Sequence, residues 1–297
     1  MSNLHRAIFT LSLIAGLALP AMNVRAENAG RESGRPEARM TRLTERVWVC
    51  QLQYAGQKPK GFFPVIVSRD GLVVVDTPMF PSEARAMRAA IVDELGRRDF
   101  LFLINTHHHW DHTMGNQFFR EATIVGHAFT PIDIATFTGE QFKRFIIQRK
   151  EAAQKGIIKA SLAMIEELER EFQAAPPSRT FEEEESIRLG DLSLILYHTG
   201  RDGAPVSLFN HTRSDIFVYV PDEKVLCVGD SFYEKEWLDG PPPDPPADLL
   251  NGFLTRCRER NYVIEHVVFG HDPFISKGRG TLSPMETEDV QTRRSDG

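Results

Sequence analysis

At Asn105-Thr106-His107-His108-His109-Trp110-Asp111-His112, the chain places four potential metal ligands within six positions. The apolar run before this stretch, Phe100 to Ile104, predicts a short buried strand. The residues after it, Thr113 to Asn116, predict the start of a helix. The histidines therefore lie on a loop between a strand and a helix, where a rigid scaffold holds side chains open to substrate.

The ligands of this loop divide into two pairs. Side chains alternate along an extended chain, so His107 and His109 point to one side. The turn that follows directs Asp111 and His112 toward a second point. One loop can thus supply two metal ions, while His108 should point away from them and serve either packing or the support of a metal-binding residue.

The composition indicates one globular domain. The chain has 297 residues, of which 41% are hydrophobic and 26% are charged. A net charge of -6 without a cluster of Lys and Arg argues against a nucleic-acid partner. Three cysteines without CxxC spacing indicate neither a disulfide framework nor a structural zinc cluster.

Residues 1–26 are predicted to be a signal peptide. An apolar run from Ala7 to Leu19 follows a weakly basic start, and Val24-Arg25-Ala26 has the small residues that a signal peptidase reads. A membrane anchor would need about 20 apolar residues, and Pro20 and Asn23 interrupt this run. We therefore expect a periplasmic or secreted protein with no stable membrane span after cleavage.

The rest of the chain alternates between strands and helices. Residues 27–46 are predicted as a linker, 47–275 as the folded domain and 276–297 as a disordered tail. The predicted strands are Val47–Cys50, Phe62–Val67, Leu72–Val75, Phe100–Ile104, Thr123–Val125, Ile187–Leu189, Leu192–Tyr197, Ile216–Val220, Val225–Val228 and His266–Phe269. The predicted helices are one that Ser82 caps and that runs to about Arg98, a helical insertion at about 140–175, and one from about Asp248 to Arg260.

Three further motifs follow the histidine loop in the sequence. They are His211-Thr212-Arg213-Ser214-Asp215, Gly229-Asp230 and Gly270-His271. With the HxHxDH pattern of the loop, these motifs make the chain resemble the metallo-β-lactamase superfamily from roughly Val47 to Ile275. The resemblance implies an α+β fold, a four-layer αββα sandwich with two mixed sheets face to face and metals at one edge.

The resemblance also implies the ligands of two zinc ions per chain. The first zinc would be held by His107, His109 and His211, and the second by Asp111, His112 and His271, with Asp230 bridging them. His198 also follows an apolar strand and competes with His211 for the first site. His211 is favoured because it precedes the hairpin that ends at Gly229-Asp230.

These ligands predict a dinuclear zinc hydrolase. A metal-bridging hydroxide would be the nucleophile, since zinc lowers the pKa of bound water toward about 7, and Asp111 would orient it or carry its proton. The small-molecule substrate would contain an ester-like, lactone, thioester, sulfate or phosphodiester bond. The alternatives are a β-lactam hydrolase, an iron-dependent oxidoreductase and a non-catalytic metal-binding protein. Zinc β-lactamases of the best-known group have a cysteine at the position of Asp230, which argues against the first alternative. Iron oxidoreductases on this fold usually have a glutamate at the position of His109, which argues against the second.

Supporting roles are open for several other residues. Asp76 and Asp215 are candidate acceptors that orient metal-binding histidines. His127 is more typical of a structural histidine than of a pocket residue. The inserted helices at about 140–175 form either a substrate lid or plain packing.

Overall fold

A computed structural model of the chain describes residues 36–54, 56–158, 160–200, 211–231, 253 and 255–276. Within these ranges the strands form one sheet of seven strands and one of six. No helix among the described residues is long and apolar enough to cross a membrane.

The first sheet has its strands in sequence order. β1 to β4 pair antiparallel, and β4 to β7 pair parallel. The strands are β1 (Pro36–Arg42), β2 (Val47–Tyr54), β3 (Gly61–Val67), β4 (Leu72–Val75), β5 (Phe100–Ile104), β6 (Thr123–His127) and β7 (Arg179–Phe181).

The second sheet runs in the order β13-β12-β11-β10-β9-β8. Its neighbouring strands pair antiparallel except β11 and β12, which are parallel. The strands are β8 (Glu184–Leu189), β9 (Leu192–His198), β10 (Ile216–Val220), β11 (Val225–Gly229), β12 (His266–Phe269) and β13 (Ile275–Ser276).

Successive side chains of a buried strand face opposite layers of the fold. In β4, Val73 and Val75 belong to a core cluster that also contains Leu194 and Val218 of the second sheet. Leu72 and Val74 belong instead to a cluster with the helix residues Met87 and Ile91. A run that is apolar at every position is therefore buried on both faces, against the other sheet and against a helix. This arrangement confirms the predicted αββα sandwich.

Helices lie outside the two sheets. They are α1 (Pro81–Leu95), α2 (Trp110–Thr113), α3 (Phe129–Thr136), α4 (Glu140–Gln154) and α5 (Leu162–Glu171), with short 3-10 helices at Met114–Phe119 and Pro221–Glu223. Of these, α1 packs on the outer face of the first sheet. Helical residues at 253 and 255–259 contribute Phe253 and Cys257 to the outer cluster of the second sheet.

The helical insertion at about 140–175 is present as α4 and α5, and Gly156 lies between them with a φ of 67°. α5 ends at Glu171, and the backbone is extended at the next residue, Phe172. α1 begins at Pro81 rather than after a Ser82 cap. Proline is favourable at the first helical position, since its missing N–H has no partner there in any helix.

The predicted linker 27–46 is wrong over residues 36–42, which form β1. Pro36 to Arg42 pair with Tyr54 to Trp48, and the strand is at most half-buried. The predictions for residues 1–26, 27–35 and 277–297, and for the first part of the helix at Asp248 to Arg260, lie outside the described residues.

Candidate metal centre

The candidate ligands collect where strands of both sheets end. In the first sheet, Asp76 follows β4, and the loop containing His107 to His112 follows β5. In the second sheet, Asp230 follows β11, His271 lies two residues after the end of β12, and His211 precedes β10. Since β4 and β5 are parallel, as are β11 and β12, their carboxyl ends meet at one edge of the sandwich.

Backbone hydrogen bonds join the two sheets at this edge. Ile216 N donates to Thr106 O at 2.8 Å, and Phe62 N donates to Gly270 O at 3.0 Å. Gly270 N in turn donates to Gly229 O at 2.8 Å. The loops that carry the candidate ligands are therefore fixed to one another by the main chain.

All seven candidate ligands come together. Three groups each have ligand atoms within 4.8 Å of one another, and each could hold a metal ion. The groups are His107, His109 and His211; His107, His112 and Asp230; and Asp111, His112 and His271.

Asp230 lies between the groups. Its Oδ1 is 3.3 Å from His112 Nε2, and its Oδ2 is 3.3 Å from His271 Nε2 and 3.7 Å from His211 Nε2. His271 Nε2 is also 3.3 Å from Asp111 Oδ2. Both carboxylates thus face the imidazole nitrogens, and Asp230 reaches nitrogens on both sides of the cluster.

Asp76 fixes the orientation of two histidine rings. Its Oδ2 lies 2.9 Å from His112 Nδ1 and accepts a hydrogen bond from Thr106 Oγ1 at 2.6 Å. Because the Thr106 hydroxyl donates to Asp76, the oxygen of Thr106 is left to accept from His107 Nδ1 at 3.1 Å. Both rings then carry a proton at Nδ1, and their Nε2 atoms face the cluster. This confirms Asp76 as an acceptor for a histidine of the cluster.

Glycine is required at two positions of the site. Gly229 has a φ of 55°, and a Cβ built there would lie 2.5 Å from Thr106 Oγ1. At Gly270 a Cβ would lie 2.3 Å from Asp230 Oδ1 and 3.0 Å from His112 Cε1. The glycine in Gly229-Asp230 and in Gly270-His271 therefore permits the two sheets to approach at the cluster.

The model of the metallo-beta-lactamase superfamily matches residues 65–271. The chain belongs to this superfamily. Among solved structures, this superfamily member is similar to a metallo-beta-lactamase from Pontibacter korlensis, with 18% sequence identity and a TM-score of 0.53. The match covers 81% of this chain and 94% of the other, and at this identity it shows a shared fold. No curated protein matches the chain.

The cluster of this superfamily member fits a metal centre. His107 Nε2, His112 Nε2 and Asp230 Oδ1 are fully buried, yet none of them makes a hydrogen bond. Buried polar atoms without a hydrogen bond are costly, and the 3.3 Å ion pair between His112 Nε2 and Asp230 Oδ1 leaves His107 Nε2 with no such contact. A bound cation would engage all three atoms. Imidazole nitrogen and carboxylate oxygen are ligands that suit zinc.

The electrostatics of the cluster distinguish two kinds of histidine. Burial lowers the pKa of His107, and burial with the nearby His211 lowers the pKa of His109 to about 4. Burial opposes the charged form of His112 and His271 as well, but carboxylates outweigh it. Asp230 and Asp76 raise the pKa of His112, and hydrogen bonds to Asp111 and Asp230 raise the pKa of His271 to about 10.

Asp111 belongs to the charged part of the cluster. Burial opposes its ionisation, yet the hydrogen bond from His271 lowers its pKa to about 2. The positive charge on His112 and His271 thus balances the carboxylates of Asp111 and Asp230. A metal cation would take the place of those protons.

The competing histidine His198 lies outside the cluster. Its Nε2 is 2.9 Å from Arg213 O, and its ring stacks on His127 with centroids 3.6 Å apart. His127 Nε2 is in turn 2.8 Å from Glu182 O. His108, which was expected to point away, contacts Ser214 Oγ through Nδ1 at 3.0 Å. These three histidines bind protein groups, whereas His211 joins the candidate ligands.

Asp215 supports the site in a way that differs from the prediction. It accepts hydrogen bonds from Thr212 N at 2.9 Å and from Thr212 Oγ1 at 2.7 Å, so it holds the turn after His211. Burial raises the pKa of Asp215 to about 7. In the sequence, an aspartate with this backbone role cannot be distinguished from an aspartate in any other turn.

A buried amide pair under the histidine loop was not predicted. Asn105 Nδ2 donates to His112 O at 3.0 Å, and Asn116 Nδ2 donates to Asn105 Oδ1 at 2.8 Å. Thr77 Oγ1 donates to Asn116 Oδ1 at 2.8 Å. This network fixes the backbone at His112, and no single residue in it has a distinctive sequence signal.

Proposed function

We propose that this protein is a dinuclear zinc hydrolase that acts on small molecules. The observation that carries the proposal is that buried atoms of His107, His112 and Asp230 lack a hydrogen bond within a group of seven His and Asp side chains. Membership of the metallo-beta-lactamase superfamily supports it.

Two of the three groups, those without Asp230, are the proposed ligand sets. One zinc would be held by His107, His109 and His211, and the other by Asp111, His112 and His271, with Asp230 shared. Zinc in such a site lowers the pKa of a water ligand toward about 7 and polarises the oxygen of the bond to be cleaved.

The protein's own residues would position the reactants. Asp111 is ionised at neutral pH, and about a third of its side chain is exposed, at 36%. It can therefore accept a hydrogen bond from an attacking water and hold that water toward the substrate. Asp76 and Thr106 would keep the imidazoles of His107 and His112 in the orientation that leaves Nε2 free.

The proposed substrate has an ester-like, lactone, thioester, sulfate or phosphodiester bond. Each of these bonds has an oxygen that a cation can polarise and a centre that water can attack. The test is a panel of these substrates with a β-lactam added, assayed on protein of measured metal content. About two zinc ions per chain and turnover of one bond class are expected, whereas iron with redox activity would contradict the proposal.

Two matched histidine variants test the ligand assignment. His211→Ala should lose the first zinc and abolish hydrolysis, because its nitrogen lies in the cluster. His198→Ala should keep both zinc ions and lose at most about 10–100-fold in rate, as expected for a supporting residue. Zinc titration and rates on the two variants decide the matter. Loss of zinc in His198→Ala with retention in His211→Ala would refute the assignment.

We also propose that the protein is exported to the periplasm or secreted. The support is the apolar run from Ala7 to Leu19 followed by Val24-Arg25-Ala26 in the sequence. The mass of the mature protein should correspond to a chain that begins near Glu27. A mature chain that keeps Met1 would contradict export by this route.

A further inference from the structure

A cavity of about 160 Å³ opens beside the metal centre. His109 belongs both to its wall and to the group formed with His107 and His211. The apolar part of the wall consists of Trp110, Met114, Ile134, Phe137 and Phe172. A molecule held at the cluster can therefore extend directly into this space.

The polar groups of the wall are already engaged. Asp133 accepts hydrogen bonds from Arg213 Nε at 3.2 and 3.1 Å, so its charge is balanced. His108 Nδ1 contacts Ser214 Oγ at 3.0 Å, and Thr136 Oγ1 donates to the backbone oxygen of Asp133 at 2.7 Å. The cavity therefore favours an uncharged group over an ionic one.

The helical insertion supports the aromatic side of the cavity. The ring of Trp110 packs against Phe137 of the loop after α3, at 5.2 Å between centroids, and against Phe145 of α4, at 4.9 Å. Phe172, directly after α5, packs against Phe142 of α4 at 4.7 Å. The insertion is thus packed as a core and also forms part of a wall next to the metal centre.

We propose that this cavity binds the non-reacting, uncharged apolar part of the substrate, with a size of about six carbons. The proposal rests on the proposed hydrolase function for the location of the reacting bond. Size sets the upper limit, because an apolar cavity of about 150 Å³ in another protein binds one benzene molecule. A phenyl or a linear hexyl group matches this volume, and a longer unbranched chain exceeds it.

The first arm of the test measures binding without turnover. Ethanol, butanol and hexanol are titrated into the full-length protein while the methyl resonance of Met114 is followed by NMR and assigned with Met114→Leu. Affinity should rise by up to about fourfold per added methylene. Thr136→Trp, which fills the cavity, should abolish this dependence. Ile132→Trp places the same side chain on α3 at a site that is 53% exposed and outside the wall, and should preserve it.

The second arm measures turnover with the same variants. For the bond class that the substrate panel identifies, kcat/KM should rise with the length of the apolar group up to about six carbons and then level off. Phe172→Ala lengthens the cavity and should move this limit to a longer chain. If circular dichroism shows that Thr136→Trp does not fold, Phe172→Ala serves as the test in its place.

The outcomes separate the cavity from the hydrolase function. Length-dependent alcohol binding that Thr136→Trp removes, without turnover of any panel substrate, would support the cavity and refute the hydrolase. Turnover that does not depend on chain length would refute the cavity as a substrate site. Alcohol affinity that does not change with length, or that a folded Thr136→Trp retains, would also overturn the proposal.

Discussion

At Gly270, the absence of a side chain leaves room for Asp230 and His112 at the candidate metal centre. An added Cβ would meet Asp230 Oδ1 at 2.3 Å, which is closer than nonbonded atoms approach. Relief would require Asp230 or His112 to move, and both belong to the candidate ligands. The effect of a methyl group here is therefore expected on metal binding more than on folding.

We predict that Gly270→Ala lowers the zinc content from two toward one per chain and reduces hydrolysis at least about 10–100-fold. Gly96→Ala is the control, since a Cβ there meets nothing within 4 Å, although Gly96 has a φ of 64° and Gly270 has no positive φ. Gly96→Ala should lower the unfolding free energy by about 1–2 kcal/mol and leave the zinc content unchanged. Zinc content and denaturant unfolding measure both effects, and an unchanged zinc content in Gly270→Ala would contradict the prediction.

The two proposed zinc sites should differ in the protons they release. The pKa values of His107, His109 and His211 are lowered, so the first site is already neutral near pH 7. His112 and His271 have raised pKa values and carry protons that a metal must displace. Affinity for the second zinc should therefore rise with pH and fall as pH decreases.

Titration in weakly buffered solution measures this difference. The first equivalent of zinc should release almost no protons from its ligands, and the second should release about two, from His112 and His271, in addition to those released by zinc-bound water. At about pH 6 the second site should fill less readily than at about pH 8. Equal proton release for both equivalents would show that the ligand groups are not divided in this way.

At the scale of elements, the strands that the sequence did not predict all lie at sheet edges. β1 and β7 are the two outer strands of the first sheet, and β13 is an outer strand of the second. An edge strand has one side open to solvent, so it keeps polar residues and loses the apolar pattern. Central strands such as β4 and β10 are buried at every position and were predicted at their observed bounds.

α3 was missed for a different reason. Pro131 lies within it, and proline usually indicates a break in a helix. It is the third residue of α3, where the backbone N–H has no helical partner, so the helix tolerates it. This helix contributes Ile134 to the cavity beside the metal centre, which explains why the cavity could not be foreseen.

That the candidate metal ligands would lie together was predictable, because their spacing is local or repeats a strand-end motif. Their supports were not, since they depend on contacts between distant segments. Thr106 and Asp76 are 30 residues apart, and His271 Nδ1 contacts Lys60 O across 211 residues. Such contacts follow from sheet order and register, which no single stretch of sequence specifies.

Leu168 of α5 tests whether the helical insertion is stabilised as a core. It is 1% exposed and packs in a cluster with Phe145, Ile146 and Ile165. Leu168→Ala should therefore cost about 2–5 kcal/mol of unfolding free energy. Ile147→Ala, on α4 at 56% exposure, should change it by less than about 0.5 kcal/mol. Denaturant unfolding compares the two variants, and equal costs would argue against a packed insertion.

For the whole molecule, the proposed ligands connect the two sheets. His107 to His112 come from the edge of the first sheet, whereas His211, Asp230 and His271 come from loops of the second. A metal ion held by both sets would bind the folded protein and lose its site when the sheets separate. Metal binding and global stability should therefore be coupled.

We predict that removing zinc with a chelator lowers the unfolding free energy of the whole domain. Zinc at 100 times its dissociation constant would contribute about 2.7 kcal/mol per site, and less if the unfolded chain also binds zinc. The gain should grow with the logarithm of free zinc concentration. In His198→Ala it should persist, since this side chain lies outside the cluster, and in His211→Ala the part due to the first site should disappear. Thermal or denaturant unfolding at several fixed zinc concentrations measures this coupling. Identical midpoints with zinc and with chelator, for protein shown to bind zinc, would mean that the metals do not hold the two sheets together.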